Sequence, residues 1–191
     1  MLITNRQLCK PPMVEVVKQA LKGGVQSVQL REKDMPTKEL FALAKDLRAA
    51  TAEAKALFIV NDRVDIALAA EADGVHLGWQ SLPPGVVRKL VGPDRLIGMS
   101  AHNLSEAQHA EAADADYIIF GPIYRTPSKE GIVEPTGPGA VAELKKHVST
   151  PVVAVGGIKA ENVADVLASG ADGIAVLSGI VAAENPEEAA Q

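Results

Sequence analysis

Eight short apolar runs, helix-like segments between them, and two adjacent charge-free strands ending in small residues predict an α/β fold, a (β/α)8 TIM barrel. The runs are Leu2-Ile3, Ser27–Leu30, Leu57–Val60, Gly74–Leu77, Leu96–Met99, Tyr117–Phe120, Val152–Val155 and Ile174–Leu177. An open doubly wound sheet competes, but it more often has about five or six strands, so the strand count favours the closed barrel. At 191 residues the chain has room for one sizeable core, and residues 1–191 are expected to form a single domain. The length lies just below the usual range for this architecture, which leaves short helices, above all after Asn185.

The first strand starts at the N-terminus. Met1-Leu-Ile-Thr-Asn-Arg6 lacks the basic start, apolar middle and small-residue cleavage pattern of a signal peptide, so the expected location is the cytoplasm. The second run continues as Gln29-Leu-Arg-Glu-Lys33, whose alternation sends Gln29, Arg31 and Lys33 to one side. Two of these are cations suited to phosphate oxygens; a solvated charge run is the alternative. Thr37 to Ala50 reads as a helix, with Leu40, Phe41, Leu43, Ala44 and Leu47 on one face.

The third run ends in Asn61-Asp-Arg63. Asp62 could merely pair with nearby cations, but a hard Mg²⁺ bridged to a diphosphate needs this kind of carboxylate, and the combination favours the metal. His76, inside the fourth run, reads as a packed or hydrogen-bonded residue, and His109 and His147 as surface residues on helical stretches. After the fifth run come Ser100-Ala-His102, then Asn103 with Glu106, a capping box opening a helix through Ala113.

The sixth run ends in Gly121-Pro-Ile-Tyr-Arg-Thr-Pro-Ser-Lys129, where Thr126, Ser128 and Lys129 suggest a second anion clamp. The Pro/Gly-rich passage Thr126 to Gly139 reads as an active-site loop, with disorder as the alternative. The last two runs lie in Pro151-Val-Val-Ala-Val-Gly-Gly-Ile158 and Gly173-Ile-Ala-Val-Leu-Ser-Gly179. Small residues there let an anion approach backbone N–H groups, so the pair suggests a phosphate cradle, against the alternative of a tight turn. An Ala-Asp pair recurs before strands, in Glu71-Ala-Asp-Gly74, Asp114-Ala-Asp-Tyr117 and Gly170-Ala-Asp-Gly173, as expected if one helix-to-strand turn is reused.

Composition narrows the function. Apolar residues make up 47% and charged residues 23%, and no run approaches the roughly 20 apolar residues needed to cross a bilayer. A formal charge of −5 gives no general attraction to nucleic acid or anionic membrane, and 3% aromatics supply no stacking platform for bases. Any anion must therefore meet a local site. The lone Cys9 forms no internal disulfide or zinc motif and reads as a buried or half-buried thiol.

Over nearly its whole length the sequence resembles the thiamine phosphate synthase family. The matching motifs are Gln29-Leu-Arg-Glu-Lys33, Asn61-Asp-Arg-Val-Asp-Ile-Ala67, Ala72-Asp-Gly-Val-His-Leu-Gly78, Gly121 to Lys129, Val155-Gly-Gly-Ile158 and Ala175-Val-Leu-Ser178. The resemblance implies condensation of hydroxymethylpyrimidine diphosphate with a thiazole phosphate, releasing diphosphate through a dissociative, Mg²⁺-assisted step. It assigns Gln29, Arg31, Lys33, Asn61, Ser100 and Lys129 to the pyrimidine diphosphate and Asp62 to Mg²⁺. Thr126, Ser128, Gly157, Leu177 and Ser178 would hold the thiazole phosphate.

One departure stands out. After Gly78 the family usually has a Gln and, two residues later, a second Mg²⁺-binding Asp, whereas this chain has Trp79-Gln-Ser-Leu-Pro83. Ser81 is closer to a sister group, the thiazole tautomerases, which isomerise a thiazole phosphate carboxylate without metal. The histidine of that group falls where this chain has Pro122, so His102 would have to stand in as acid and base. A silent thiazole-phosphate sensor is a third reading. The oligomeric state, with a homo-oligomer among the options, and the role of Trp79 in covering a rim or stacking on a substrate stay open at this level.

Overall fold

The computed structural model describes residues 1–126 and 133–191. Its strands are β1 (Leu2–Ile3), β2 (Ser27–Leu30), β3 (Leu57–Asn61), β4 (Gly74–Leu77), β5 (Leu96–Ala101), β6 (Tyr117–Phe120), β7 (Val152–Val155) and β8 (Gly173–Ala175). They form one sheet in chain order from β1 to β8. Val176, directly after β8, bridges in parallel to Leu2 of β1, exchanging bonds with Met1 and Ile3. Eight strands alternating with helices in this order are the (β/α)8 barrel that the runs predict.

The helices are α1 (Met13–Lys22), α2 (Thr37–Glu53), α3 (Val64–Ala69), α4 (Pro84–Val91), α5 (Leu104–Ala112), α6 (Pro138–Leu144), α7 (Val163–Ala168), α8 (Ser178–Val181) and α9 (Pro186–Ala189). The chain divides into two compact units. The first holds Met1–His76, Val87–Arg95 and Val176–Gln191, and the second Leu77–Val86 and Leu96–Ala175.

In the first unit the parallel register sets Val28 beside Phe58 and Leu30 beside Val60. These side chains are buried, as are Met13, Val16, Val17 and Ala20 of α1 and Leu40, Ala44 and Leu47 of α2. Fully burying each large side chain contributes about 1.5–3 kcal/mol, so these helix stripes hold the strands in place. Phe41 and Leu43 flank the α2 stripe and are only half-buried, with the Lys45 ammonium 5.1 Å from the Phe41 ring centre. Neither α1 nor α2 has a side-chain cap: each follows a proline, Pro12 and Pro36. Packing of their apolar faces therefore stabilises them more than end chemistry does.

In the second unit Ile118, Phe120, Val152 and Ala154 pack with Ala107 and Ala110 of α5, Val141 and Leu144 of α6 and Val166 of α7. Half of the expected capping box is present: Asn103 Oδ1 accepts the Glu106 N–H at 2.9 Å, while the Glu106 carboxylate accepts the Asn103 side-chain Nδ2 and the His102 N–H, each at 2.8 Å, in place of the Asn103 N–H.

The repeated Ala-Asp turn has a shared geometry. Asp73 Oδ2 accepts the N–H of Phe58, Asp116 Oδ2 that of Ile97, and Asp172 Oδ2 that of Val152, each at 2.7 Å. In each case the aspartate clamps the preceding strand where that strand begins. The residue two before it, Glu71, Asp114 or Gly170, has a positive φ, so the same left-handed helix exit feeds all three turns.

Several boundaries differ from the sequence reading: β3 runs on to Asn61, and β5 runs on to Ala101, so Ser100 lies within the strand. The α2 helix runs to Glu53, past Ala50. The last strand spans Gly173–Ala175, and Leu177 caps α8, because the chain turns into a helix within the apolar run.

Candidate active site

In the first unit, the register that sends Val28 and Leu30 to the helices sends Gln29 to the opposite face. Gln29 pairs with Ile59, and Asn61 pairs with His76, so alternation puts Gln29, Asn61 and His76 on one face of the sheet. Gln29 is 1% exposed, with Nε2 4.0 Å from Met1 Sδ. Arg31 follows β2 directly and is half-buried, and this burial draws its guanidinium down from the usual range against the pull of Glu32. Lys33 stands exposed in the turn beyond.

His76 was read as packed, and it is buried, but it also belongs to this polar face. Burial first, then the positive charge of Arg31, lowers its pKa to about 3, so the imidazole is neutral throughout the physiological range. Its alignment with Asn61 is the one signal in the sequence that could have placed it here, and strand register is needed to read it.

Asp62 adopts φ 68°, in the left-handed region that Asp and Asn tolerate best among residues with a side chain. Its N–H donates to the His76 carbonyl at 2.9 Å, and the Arg63 N–H returns to the Asn61 carbonyl at 2.8 Å, so the chain bends sharply as β3 ends. The exposed Asp62 makes no ion pair among the described residues, because the Arg63 guanidinium is tied to Asp65 at 2.6 and 2.9 Å and to Thr37. The Asp62 charge still acts on Arg63 from a distance, without a close ion pair between them.

Among the described residues no group of three or more His, Cys, Asp or Glu could hold a metal ion. The exposed Asp62 carboxylate suits Mg²⁺, which keeps waters and commonly uses one or two carboxylates together with substrate phosphates. The donor chemistry therefore fits that ion. Ser178 and Leu177 stand at the start of α8, with Ser178 exposed.

In the second unit Ser100 lies on β5 in register with Ile119. His102 follows that strand, and Glu106 Oε2 takes both its backbone N–H at 2.8 Å and its Nδ1 at 2.9 Å. Burial raises the Glu106 carboxyl, but the bonds from the His102 ring and N–H and from Asn103 outweigh this and hold it below its ordinary value. His102 also lines a cavity with Phe120, Thr136, Ala140 and Glu143, between α5 and α6. Thr126 is half-buried, whereas Ser128 and Lys129 fall outside the described residues. Trp79 is 86% exposed.

Gly156 and Gly157 have φ of 102° and 64°. A Cβ on Gly157 would lie 2.7 Å from the Arg125 carbonyl oxygen and 2.8 Å from Tyr124 Cβ, and one on Gly156 would strike Pro122. The Ile123 and Tyr124 N–H groups bond the Val155 and Gly156 carbonyls, so the segment after β6 lies across both glycines. Asn162 Nδ2 braces the far side by donating to the Gly157 carbonyl at 3.0 Å. These glycines are thus required by chain packing as well as by any anion.

The eight alternating strands and helices mark the class: a (β/α)8 enzyme. The family model for thiamine monophosphate synthase matches residues 1–180. The chain belongs to that family.

Among its relatives, a thiamine-phosphate synthase of Moorella thermoacetica is 45% identical over 94% of this chain and 86% of its own length. One of Shouchella clausii is 46% identical over the same shares. The solved thiamine phosphate pyrophosphorylase of Pyrococcus furiosus superposes with a TM-score of 0.91 at 42% identity, covering 99% of this chain and 90% of that one.

Proposed function

We propose that this chain is a thiamine phosphate synthase, joining hydroxymethylpyrimidine diphosphate to a thiazole phosphate with release of diphosphate. The observation that best supports this is the polar face of β2 to β4: Gln29, Asn61 and neutral His76, with Arg31 beside them and Asp62 at its edge. Family membership supplies the substrates.

In the reaction the bond from the pyrimidine methylene to the diphosphate oxygen breaks, and its electron pair leaves on the diphosphate. The thiazole nitrogen then donates its lone pair to that carbon. Arg31 and Lys33 neutralise the leaving oxygens, together with Lys129, and Gln29, Asn61 and Ser100 orient the pyrimidine diphosphate. Thr126, Ser128, Gly157, Leu177 and Ser178 hold the thiazole phosphate. Asp62 would hold Mg²⁺, which, when bound, adds positive charge to the departing diphosphate.

No separate base is required to make the nucleophile, and neutral His76 adds no competing charge next to Arg31. The reading takes the chain as one functional domain acting in the cytoplasm on small phosphorylated substrates, without nucleic-acid or membrane partners; a homo-oligomer is compatible. The described residues contain no helix long and apolar enough to cross a membrane.

The tautomerase reading asks His102 to shuttle protons, and Glu106, holding its Nδ1 in the first turn of α5, orients the ring without excluding that role, so the polar face of β2 to β4 is what favours the synthase. The synthase relatives weigh on the same side. A product assay with purified protein, both substrates and Mg²⁺ tests the proposal. Thiamine phosphate formed with Mg²⁺ and abolished by chelator is expected; chelator-resistant thiazole isomerisation with no thiamine phosphate would overturn it.

A further inference from the structure

The cations assigned to the diphosphate lie on a turn that follows β2, and a turn is a poor platform unless something fixes its main chain. Between them in sequence is Glu32, whose side chain is only 2% exposed. Its Oε1 accepts the Thr4 hydroxyl at 2.8 Å and the Arg6 N–H at 3.0 Å. Its Oε2 accepts that same N–H and the Arg6 guanidinium, both at 3.1 Å.

Thr4 is fully buried, and its Oγ1 in turn accepts the Arg31 N–H at 2.9 Å. Beyond Arg6 the tie continues: the guanidinium grips Asp34 at 2.7 and 3.0 Å, and Gln7 Nε2 reaches Asp34 at 3.0 Å. The segment after β1 is thereby bolted to both ends of the stretch from Arg31 to Asp34.

Burying a carboxylate costs desolvation, and well-packed apolar side chains commonly serve stability as well as a buried ion pair does. What the carboxylate adds is direction: fixed hydrogen bonds specify where the main chain runs. We propose that Glu32, acting with Thr4 and Arg6, is a positioning residue that sets Arg31 and Lys33 for the diphosphate. This rests on the synthase reading and extends it to residues that touch no substrate.

The test compares full-length wild type, Glu32→Gln, Thr4→Val and Arg31→Ala by calorimetric titration with inorganic diphosphate plus Mg²⁺ and, separately, with thiazole phosphate. Thermal unfolding is followed in parallel. Gln keeps the shape of Glu but replaces an acceptor with a donor facing Thr4 or Arg6; Val removes only the hydroxyl relay.

A misplacement of about 1 Å can cost on the order of 100-fold, so diphosphate affinity should fall by up to that factor in Glu32→Gln and by less in Thr4→Val. Thiazole phosphate binding should stay at the wild-type level in both. Arg6→Lys, which keeps a cation but not the two-armed grip on Glu32 and Asp34, should fall between wild type and Glu32→Gln.

Diphosphate binding retained in Glu32→Gln and Thr4→Val while Arg31→Ala loses it overturns the positioning role alone. Equal loss of both ligands also overturns it, because that is general destabilisation. A wild type that binds no diphosphate overturns the synthase reading and this role together. If Glu32→Gln does not fold, Thr4→Val decides by the same criteria.

Discussion

The Ser81 hydroxyl accepts the Gly78 N–H at 2.8 Å, and the Ser81 N–H returns to the Gly78 carbonyl at 3.1 Å. Position 81, where the family resemblance implies a second Mg²⁺-binding carboxylate, is therefore used here to close a turn. An aspartate oxygen can accept the same N–H, so Ser81→Asp should fold like the wild type. Its added negative charge should lower the Mg²⁺ concentration for half-maximal activity on the order of tenfold, about 1.4 kcal/mol of extra attraction. Asp62→Asn, which tolerates the left-handed backbone but removes the charge, should abolish turnover. Mg²⁺ titrations of initial rate check both; an unchanged Mg²⁺ requirement in Ser81→Asp would remove position 81 from the metal's surroundings.

Gly157 carries two constraints, and substitutions should separate them. Its positive φ alone costs a side chain roughly 1–2 kcal/mol, and a Cβ must also push Arg125 and Tyr124 away. Gly157→Ala and Gly157→Val should therefore both lower the melting temperature and raise KM for the thiazole phosphate, Val more than Ala. KM for the pyrimidine diphosphate should change less. Wild-type KM for the thiazole phosphate in Gly157→Val would exclude this glycine from that subsite.

Local features were legible in the sequence because local physics sets them. The strands, the Asn103–Glu106 cap and the three Ala-Asp turns all arise from residues a few positions apart. Alternation put Gln29 on the face opposite Val28 and Leu30, as the register with β3 has it; Arg31 and Lys33 lie beyond the strand. The Glu32 tie was not legible, since Thr4 and Arg6 lie 28 and 26 residues away and meet it only once β1 pairs with β2. One reason for two glycines after β7 was not legible: the chain crossing them comes from after β6, far away in sequence. The end of β8 was misplaced because apolar residues continue from strand into helix, and periodicity has no means of marking that change.

Glu111 of α5 should make stability depend on acid. Its Oε1 accepts the Ser149 hydroxyl and N–H at 2.7 and 2.6 Å and the Thr150 N–H at 3.0 Å, the segment leading into β7. The Ser149 hydroxyl first, then these N–H groups, draws the carboxyl down to about 2. A carboxylate with a depressed folded pKa contributes fully above its unfolded value of about 4.5 and loses that contribution as pH falls towards 2. Glu111→Gln should be less stable than wild type at pH 6, with the gap closing between pH 4.5 and 2. Urea unfolding at several pH values measures this; a gap that does not vary with pH would mean the carboxylate charge is immaterial.

The three aspartate clamps should matter to stability and not to catalysis. Asp73, Asp116 and Asp172 each precede a strand and hold the start of the preceding one, at the N-terminal ends of the strands, whereas the proposed substrate groups follow C-terminal ends. Removing a carboxylate leaves the N–H of a buried strand residue without that acceptor, a loss of about 1 kcal/mol or more. Asp116→Ala should then lower the melting temperature by roughly 2–4 °C with kcat and KM unchanged. Each aspartate holds a different strand N–H, so the triple alanine variant should lose about the sum of the three single effects. Calorimetric melting beside steady-state kinetics gives both quantities. A kinetic defect in Asp116→Ala without a melting shift would reverse the assignment, placing this turn in service of the reaction instead of the fold.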